Sequence, residues 1–168
     1  KSLNFWPRKM LRKVLLVVSF VLSLTTGLPD GAPPDTCVKN NRPNHGKTTS
    51  QPIHTLPYQV VASSNVYGPG TTIHVTISGG DVFRGFFIQA RDAQTNEWIG
   101  EWQQSANTQT IPECSAITHA DPKDKVQATL IWQAPSNKQG QVYFTGAVVK
   151  DYGTYWTDII AQIPVYQH

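Results

Sequence analysis

Residues 71–91 have the sequence TTIHVTISGGDVFRGFFIQAR, which contains the clearest strand pattern in the chain. In its first part Ile73, Val75 and Ile77 alternate with polar side chains, and this period of two is typical of a strand with one buried face. A glycine pair follows and predicts a break. The denser apolar run FRGFFIQAR then predicts a second strand. We therefore expect two consecutive strands of an antiparallel β-protein here.

Further short β-prone runs, separated by Gly, Pro and Asn turns, lie on both sides of this stretch. No convincing amphipathic helix interrupts them. The pattern predicts an all-β fold, an immunoglobulin-like antiparallel β-sandwich, with a barrel as the alternative. An irregular, polar segment at residues 28–57 precedes the strands. We predict about eight strands, at residues 58–62, 71–78, 83–91, 98–102, 108–111, 126–132, 141–149 and 156–165.

The first 27 residues predict a secretory signal peptide with a few residues upstream of it. Met10 is the only methionine and the natural initiator. A basic start, the apolar run VLLVVSFVLSL at residues 14–24 and small residues at 25–27 follow the order of such a peptide. Eleven apolar residues are too few for a span, which needs about 20. We expect a secreted protein without a membrane anchor, with a single domain at residues 28–168.

Removal of this leader reverses the sign of the charge. The whole chain has 14 Lys and Arg against 11 Asp and Glu, a formal net charge of +3. Five of the basic residues and no acidic residue lie in the leader, so residues 28–168 carry a net charge of −2. Nucleic-acid binding by a basic face is therefore not expected. Binding to bacterial surfaces would need a local patch around Arg84, Arg91 or Lys150, an aromatic loop or a bridging ion.

Cys37 and Cys114 are the two cysteines of the chain. In an oxidising extracellular compartment they allow one intramolecular disulfide, which would tie the irregular segment to the domain body. Two free buried thiols and intermolecular bonds are the alternatives. Because there is no Cys-x-x-Cys motif, a redox or zinc-ribbon role is not supported.

The chain has no motif that predicts catalysis, a cofactor or a metal site. Its histidines are scattered, and neither a metalloprotease motif nor a Gly-x-Ser-x-Gly elbow occurs. Glu97 and Glu101 lie near Trp98 and Trp102, which superficially suggests a glycosidase. On a strand, however, the glutamates and the tryptophans face opposite sides. We therefore interpret the glutamates as a polar edge and the tryptophans as a pair in the core. We expect a non-catalytic protein.

The segment DYGTYW at residues 151–156 predicts an aromatic loop between two strands. Aromatic side chains in a loop are not readily explained by core packing. Tyr152, Tyr155 and Trp156 are therefore the candidate ligand-binding residues.

The sequence resembles the reeler domain family in several short motifs that follow one another in the family's order over about residues 37–160. Beside FRGFFIQAR they are Cys37 with Pro43-Asn44-His45, Leu56-Pro57-Tyr58, Tyr67-Gly68-Pro69-Gly70, Ile99-Gly100-Glu101-Trp102, Cys114 with Ile117-Thr118-His119, Trp132-Gln133-Ala134-Pro135 and Gly140-Gln141-Val142-Tyr143-Phe144. The resemblance implies an immunoglobulin-like sandwich and a Cys37–Cys114 bridge, and it supplies no catalytic residues.

A single reeler domain with a leader is similar to the small secreted defense proteins of insects. This implies a secreted innate-immunity protein that acts in antibacterial defense by recognising microbial surface components or haemocytes. An extracellular matrix or cell-surface interaction module without an immune role is the alternative. Direct killing of microbes is less favoured, because no cationic amphipathic surface is expected.

Overall fold

The computed structural model describes residues 31–164, so the predicted signal peptide lies outside the described residues. This part of the chain contains three 3-10 helices of one turn, at Pro34–Cys37, Ile53–Thr55 and Pro112–Cys114. Its ten strands are β1 (Tyr58–Ala62), β2 (Val66–Tyr67), β3 (Thr72–Phe83), β4 (Gly85–Asp92), β5 (Glu101–Gln103), β6 (Thr108–Ile111), β7 (Ala116–His119), β8 (Lys125–Gln133), β9 (Gly140–Asp151) and β10 (Thr154–Ile160).

The strands form two antiparallel sheets that pack face to face. The first sheet has the order β1-β3-β8-β5, and the second has the order β10-β9-β4-β7-β6, with β2 paired to β9. A parallel bridge between Val61 and Gln162 joins the chain after β10 to β1 and so links the two sheets. The predicted immunoglobulin-like antiparallel sandwich is therefore confirmed, and the barrel alternative is wrong.

The core lies between the two sheets, and the strand pattern of β3 points into it as predicted. Ile73, Val75 and Ile77 are completely buried. On the neighbouring strand β8, Trp132 is also completely buried. Its ring packs edge-on against Phe144 of the opposite sheet, with 5.6 Å between the ring centroids. Aromatic edge-to-face packing thus connects the two layers.

A glycine makes room for Trp132. Gly100 has a φ of +69°, and a Cβ at this position would lie 2.4 Å from the indole ring. The indole Nε1 donates a hydrogen bond to the carbonyl oxygen of Ile99 at 2.9 Å, and the Ser115 hydroxyl donates to the same oxygen at 2.6 Å. The chain before β5 is therefore held to the core by close packing and by buried hydrogen bonds.

The glycine pair Gly79-Gly80 does not end a strand, so the predicted break is wrong. Strand β3 continues to Phe83, with a register shift against β8 between Ser78 and Phe83. A Cβ on Gly79 would lie 2.5 Å from the carbonyl oxygen of Pro57. Glycine at this position therefore allows a close approach of two backbones instead of a turn, and the break comes later, at Arg84.

Other strand boundaries also differ from the prediction. Strands β2 and β7 were not predicted; they have two and four residues. Strand β5 begins at Glu101, since the positive φ of Gly100 interrupts the extended backbone. As a result the predicted pair of core tryptophans is wrong: Trp102 is buried, whereas Trp98 is 43% exposed.

The irregular segment before β1 lies on the outer face of the second sheet. Cys37 and Cys114 form a disulfide, with 6.0 Å between their Cα atoms. Both cysteines pack in a small cluster with Phe87 of β4. Side chains alternate along a strand, and since Phe86 and Ile88 point into the main core, Phe87 points to the opposite face. The predicted disulfide-tethered segment is confirmed.

We predict that Gly100→Ala lowers the free energy of unfolding by about 2–4 kcal/mol, because it combines a left-handed backbone penalty with a clash against Trp132. Gly70→Ala is the matched control. Gly70 has a φ of +67° but no atom within 4 Å of an added Cβ, so only the backbone penalty of about 1–2 kcal/mol applies. Urea denaturation measures both, and equal losses would contradict the packing role of Gly100.

We also predict that the double substitution Cys37→Ala, Cys114→Ala lowers the free energy of unfolding by about 3–5 kcal/mol, since the bridge closes a long loop. The sandwich core itself does not include the tethered segment. Hydrogen exchange should therefore accelerate at the amides of Thr36 to Asn41 and stay slow in β3 and β8. A segment that remains protected without the disulfide would contradict this account.

Candidate functional site

A cavity of about 580 Å³ lies between the tethered segment and the outer face of the second sheet. Its floor includes the side chains of Phe87 from β4 and of Ala147 and Val149 from β9. Its roof includes Pro33 and Pro43 from the tethered segment. We call these surfaces the floor and the roof below. The cavity therefore has a regular, rigid side and an irregular side fixed by the disulfide.

Small residues on the sheet leave the space for this cavity. Gly85 begins β4, and a Cβ there would lie 2.8 Å from the imidazole of His119, so glycine permits the ring to pack directly on the backbone. Ala147 lies near the middle of β9 and offers only a methyl group. Larger side chains at these positions would meet the roof or displace the histidine.

The charged groups around the cavity balance one another. Lys39 and Arg84 are its cations, and Asp35 and Asp151 are its carboxylates. Lys39 forms an ion pair with Asp35, and Arg84 Nε donates to Asp124 at 2.8 Å. The lining therefore has no net charge from these groups, and both cations already have an acidic partner.

Two histidines of the lining are held in the neutral form by burial. Desolvation lowers the pKa of His119, and the nearby Phe86 carbonyl only partly opposes this effect. His119 Nδ1 lies 3.2 Å from the amide nitrogen of Phe86, from its carbonyl oxygen and from Thr118 Oγ1. Burial likewise lowers the pKa of His45. At neutral pH neither ring adds positive charge to the cavity.

Two buried polar atoms of the lining residues have no hydrogen-bond partner among residues 31–164. These atoms are Asn41 Oδ1 and His45 Nδ1. Asn41 is only 8% exposed, and its backbone has a left-handed φ of 59°. Most buried polar atoms are paired, so these two are exceptions within the described part of the chain, and neither has surface open to the cavity.

Of the three predicted ligand-binding residues, only Tyr152 is exposed. It is 52% exposed, and with Gly153 it forms the two-residue turn between β9 and β10. Its ring stacks on His45, with 4.7 Å between the centroids and an interplanar angle of 19°. Tyr152 also lines the cavity, so it connects the hairpin to the roof.

The predicted aromatic loop is wrong for Tyr155 and Trp156. Both lie in β10 and are 5% exposed, because the strand begins directly after the turn. The Tyr155 hydroxyl donates to the carbonyl oxygen of Thr48 at 2.8 Å, and Trp156 Nε1 donates to Thr55 Oγ1 at 3.0 Å. These side chains fasten the segment before β1 to the sandwich instead of facing solvent.

The cations considered for a local binding patch also have partners within the protein. The Arg91 guanidinium lies 5.7 Å from the centroid of the Trp98 ring and donates to the carbonyl oxygen of Asn96 at 3.0 Å. Lys150 forms an ion pair with Asp81 at 2.5 Å. Arg91 and Lys150 are therefore both already engaged in contacts within the protein.

Sequence reasoning missed the cavity, because its residues come from strands and loops that are far apart in the chain.

Within residues 31–164 no group of three or more His, Cys, Asp and Glu side chains is arranged to hold a metal ion. Over the same described part of the chain, no helix has the length and apolar character needed to cross a membrane.

The comparisons with known proteins agree on the fold. Residues 35–167 match the Reeler domain family. The chain is 37% identical over 167 residues to a protein of Antheraea mylitta named "Putative defense protein 3", a match that covers 95% of this chain and 99% of that protein. The crystal structure of the human F-spondin reeler domain superimposes with a TM-score of 0.51 at 23% identity, covering 71% of this chain and 88% of that one.

Longer proteins also contain the matching region. The chain is 32% identical to "Putative ferric-chelate reductase 1" of Xenopus laevis over 87% of its own length, but the match covers 26% of that protein. The chain therefore spans about a quarter of this relative. Since the family match extends over most of the sequence, and the moth protein matches from end to end, the chain belongs to the reeler domain family.

Proposed function

We propose that the protein is a secreted, non-catalytic protein of innate immunity that recognises microbial surface components or haemocytes. The observation that carries this proposal is the match to the moth defense protein, which covers nearly the full length of both chains. Two further moth relatives with the same kind of name match over 90% and 91% of their own lengths. A match over nearly the full length of both proteins supports a shared role better than a match to one module of a larger protein does.

The Tyr152 turn is the surface that we favour for recognition. Its ring lies at the tip of the β9–β10 hairpin and is 52% exposed, so the part of it that does not contact His45 is open to a ligand. Stacking on His45 restricts the ring before binding, which reduces the entropy lost when a partner packs against it. Tyrosine offers both an apolar face and a hydroxyl, and both are useful against sugar rings or a protein surface.

Charge supports this choice of surface over an ionic one. Residues 28–168 have a net charge of −2, and long-range attraction to anionic bacterial envelopes is therefore weak. Arg84 and Lys150 are each paired with an aspartate, so an anionic ligand would compete with contacts that already exist. Aromatic stacking has no such competitor at the exposed face of Tyr152.

We predict that Tyr152→Ala lowers the affinity for bacteria by about tenfold, the loss expected when one aromatic anchor is removed. Trp98→Ala is the matched control, since Trp98 is also a half-exposed aromatic residue but lies on the β4–β5 connection. Protein purified from the medium of expressing cells would be titrated on live bacteria, on isolated envelope polysaccharides and on haemocytes. Tyr152→Phe, which keeps the ring, should bind nearly as the wild type.

Equal binding by Tyr152→Ala and wild type would remove the hairpin from the recognition surface. Wild-type protein that binds bacteria and haemocytes no better than an unrelated acidic β-sandwich would refute the recognition proposal itself. Retention on extracellular matrix, with expression unchanged after bacterial challenge, would instead favour the matrix module.

A further inference from the structure

One edge of the first sheet is left open by the short strand β5. Strand β5 pairs with residues 131–133 of β8 only. The chain then turns away from the sheet, because Ser105 N donates to Thr108 Oγ1 at 2.8 Å and Thr108 N donates to Ser105 O at 3.2 Å. On this side, residues 125–130 of β8 have no neighbouring strand within the described residues 31–164. We call them the open edge.

Main-chain groups of the open edge are unpaired. In an antiparallel sheet the N–H and C=O groups of alternate residues point to opposite sides of the strand. Ala134 N donates to Thr71 O at 2.8 Å, so Ala134 and every second residue before it point these groups toward β3. Gln127 and Thr129 therefore point theirs to the open edge, where no hydrogen bond from residues 31–164 reaches them. Donors and acceptors of the main chain are thus arranged in line along this edge.

A small slot of about 200 Å³ lies beside the open edge. Its lining includes the exposed hydroxyl and amide side chains of Ser105, Asn107, Gln127 and Thr129, and the half-buried methyl group of Ala128. Such a lining offers little to an apolar body. It suits a peptide, because the amides of a peptide form hydrogen bonds along a strand and a small side chain fits the slot.

The slot has no free charge to offer a ligand. Lys125 is the one charged residue of its lining. The Lys125 ammonium donates to the Asp121 carboxylate at 3.0 Å and to the carbonyl oxygens of Asp121, Lys123 and Arg84 at 2.9, 2.8 and 3.1 Å. These acceptors already use the three N–H groups of the ammonium. An uncharged segment is therefore favoured over an acidic one, which would lose its hydration without gaining a cation.

Two outer strands show how this fold closes an edge. At β1, Ala62 N donates to Gln162 O and Gln162 N donates to Val60 O, both at 2.8 Å. At β10, Gln51 N donates to Tyr155 O at 2.8 Å. In both cases a short segment of the same chain forms main-chain hydrogen bonds with the outer strand. The open edge of β8 presents the same kind of groups without such a segment.

The open edge also lacks the features that usually keep an exposed edge from pairing. Charged side chains and prolines are common protection against an added strand. Residues 126–131 have the sequence VQATLI, with no charge and no proline. Val126, at the start of this run, is an apolar residue that is 73% exposed. The sequence of the edge is therefore compatible with the addition of a strand.

We propose that the open edge is a docking site for an extended, uncharged peptide segment of a partner protein. The segment joins the first sheet as a strand antiparallel to β8, like the other strand pairs of this sheet. Its residue opposite Ala128 points into the slot and is small and apolar, and the two flanking residues exchange main-chain hydrogen bonds with Gln127 and Thr129. This inference goes beyond the proposed function, because it concerns a protein partner and a different sheet from that of the Tyr152 turn.

Synthetic peptides with the sequence Thr-Thr-Val-Thr-Thr, blocked at both ends, test the proposal by titration. With the valine opposite Ala128, the N–H groups of the second and fourth residues face β8, and those of the third and fifth face away. N-methylation of the second and fourth residues should weaken binding about tenfold, since two main-chain hydrogen bonds are lost. N-methylation of the third and fifth residues is the matched control and should leave binding nearly unchanged.

Gln127→Pro is the protein variant that removes a main-chain donor from the open edge. This N–H has no partner within residues 31–164, so the proline leaves the hydrogen bonds between β8 and β3 in place. Gln127→Ala is the matched control, since it removes the same side chain but keeps the N–H. We expect the proline variant to bind the unmethylated peptide several-fold more weakly and the alanine variant to bind it as the wild type does. Circular dichroism and thermal unfolding would show that both variants fold.

Hydrogen exchange of the wild-type protein makes the test independent of the variants. On addition of the unmethylated peptide, exchange should slow at the amides of Gln127 and Thr129 and stay the same at Tyr152. Absence of binding, equal binding of the two methylated peptides, unchanged exchange at both amides, or full binding by a folded Gln127→Pro protein would each overturn the docking site.

Self-association of the protein is the remaining outcome. Wild-type dimers that Gln127→Pro abolishes would assign the open edge to a second copy of the chain and overturn the partner peptide. Binding of the Tyr152 turn to bacteria does not involve this edge, so the two proposals fail separately.

Discussion

The covalent bond between Cys37 and Cys114 determines how the whole outer surface of the second sheet is arranged. Within residues 31–57 only Gly31, Thr36, Cys37 and Asn41 are buried, so hydrophobic burial alone offers little to hold this segment in place. The bridge crosses 77 positions in sequence and removes much of the freedom of the unfolded chain. Without it we expect the sandwich core to remain intact and the part of the roof around Cys37 to lose its main attachment.

Aromatic side chains complete the attachment that the disulfide begins. Tyr155 and Trp156 hold Thr48 and Thr55 by hydrogen bonds, while Tyr152 stacks on His45. All three aromatics come from β10 or from the turn before it. The tip of the β9–β10 hairpin therefore contacts the roof through His45, while β10 holds the part of the segment nearer to β1.

The sequence predicts the sandwich better than it predicts the site. Alternation at Ile73, Val75 and Ile77 is a local property, and it identified β3 because one face of that strand is buried. Gly79 lies against the backbone of Pro57, more than 20 residues away, so the glycine pair suggested a break that does not occur. Trp98 was placed in the core because the positive φ of Gly100, which interrupts the strand, cannot be read from the glycine alone. The cavity could not be predicted either, since Phe87 and Ala147 become neighbours only when β4 pairs with β9.

The division between a hydrogen-bonded floor and a disulfide-held roof separates the shape of the cavity from the stability of the fold. Roof residues such as Pro43 and Asn44 contribute little to the sandwich core, so substitutions there change the shape and polarity of the cavity at small cost in folding free energy. Substitutions in the floor have no such freedom, because Phe87 and Ala147 belong to paired strands.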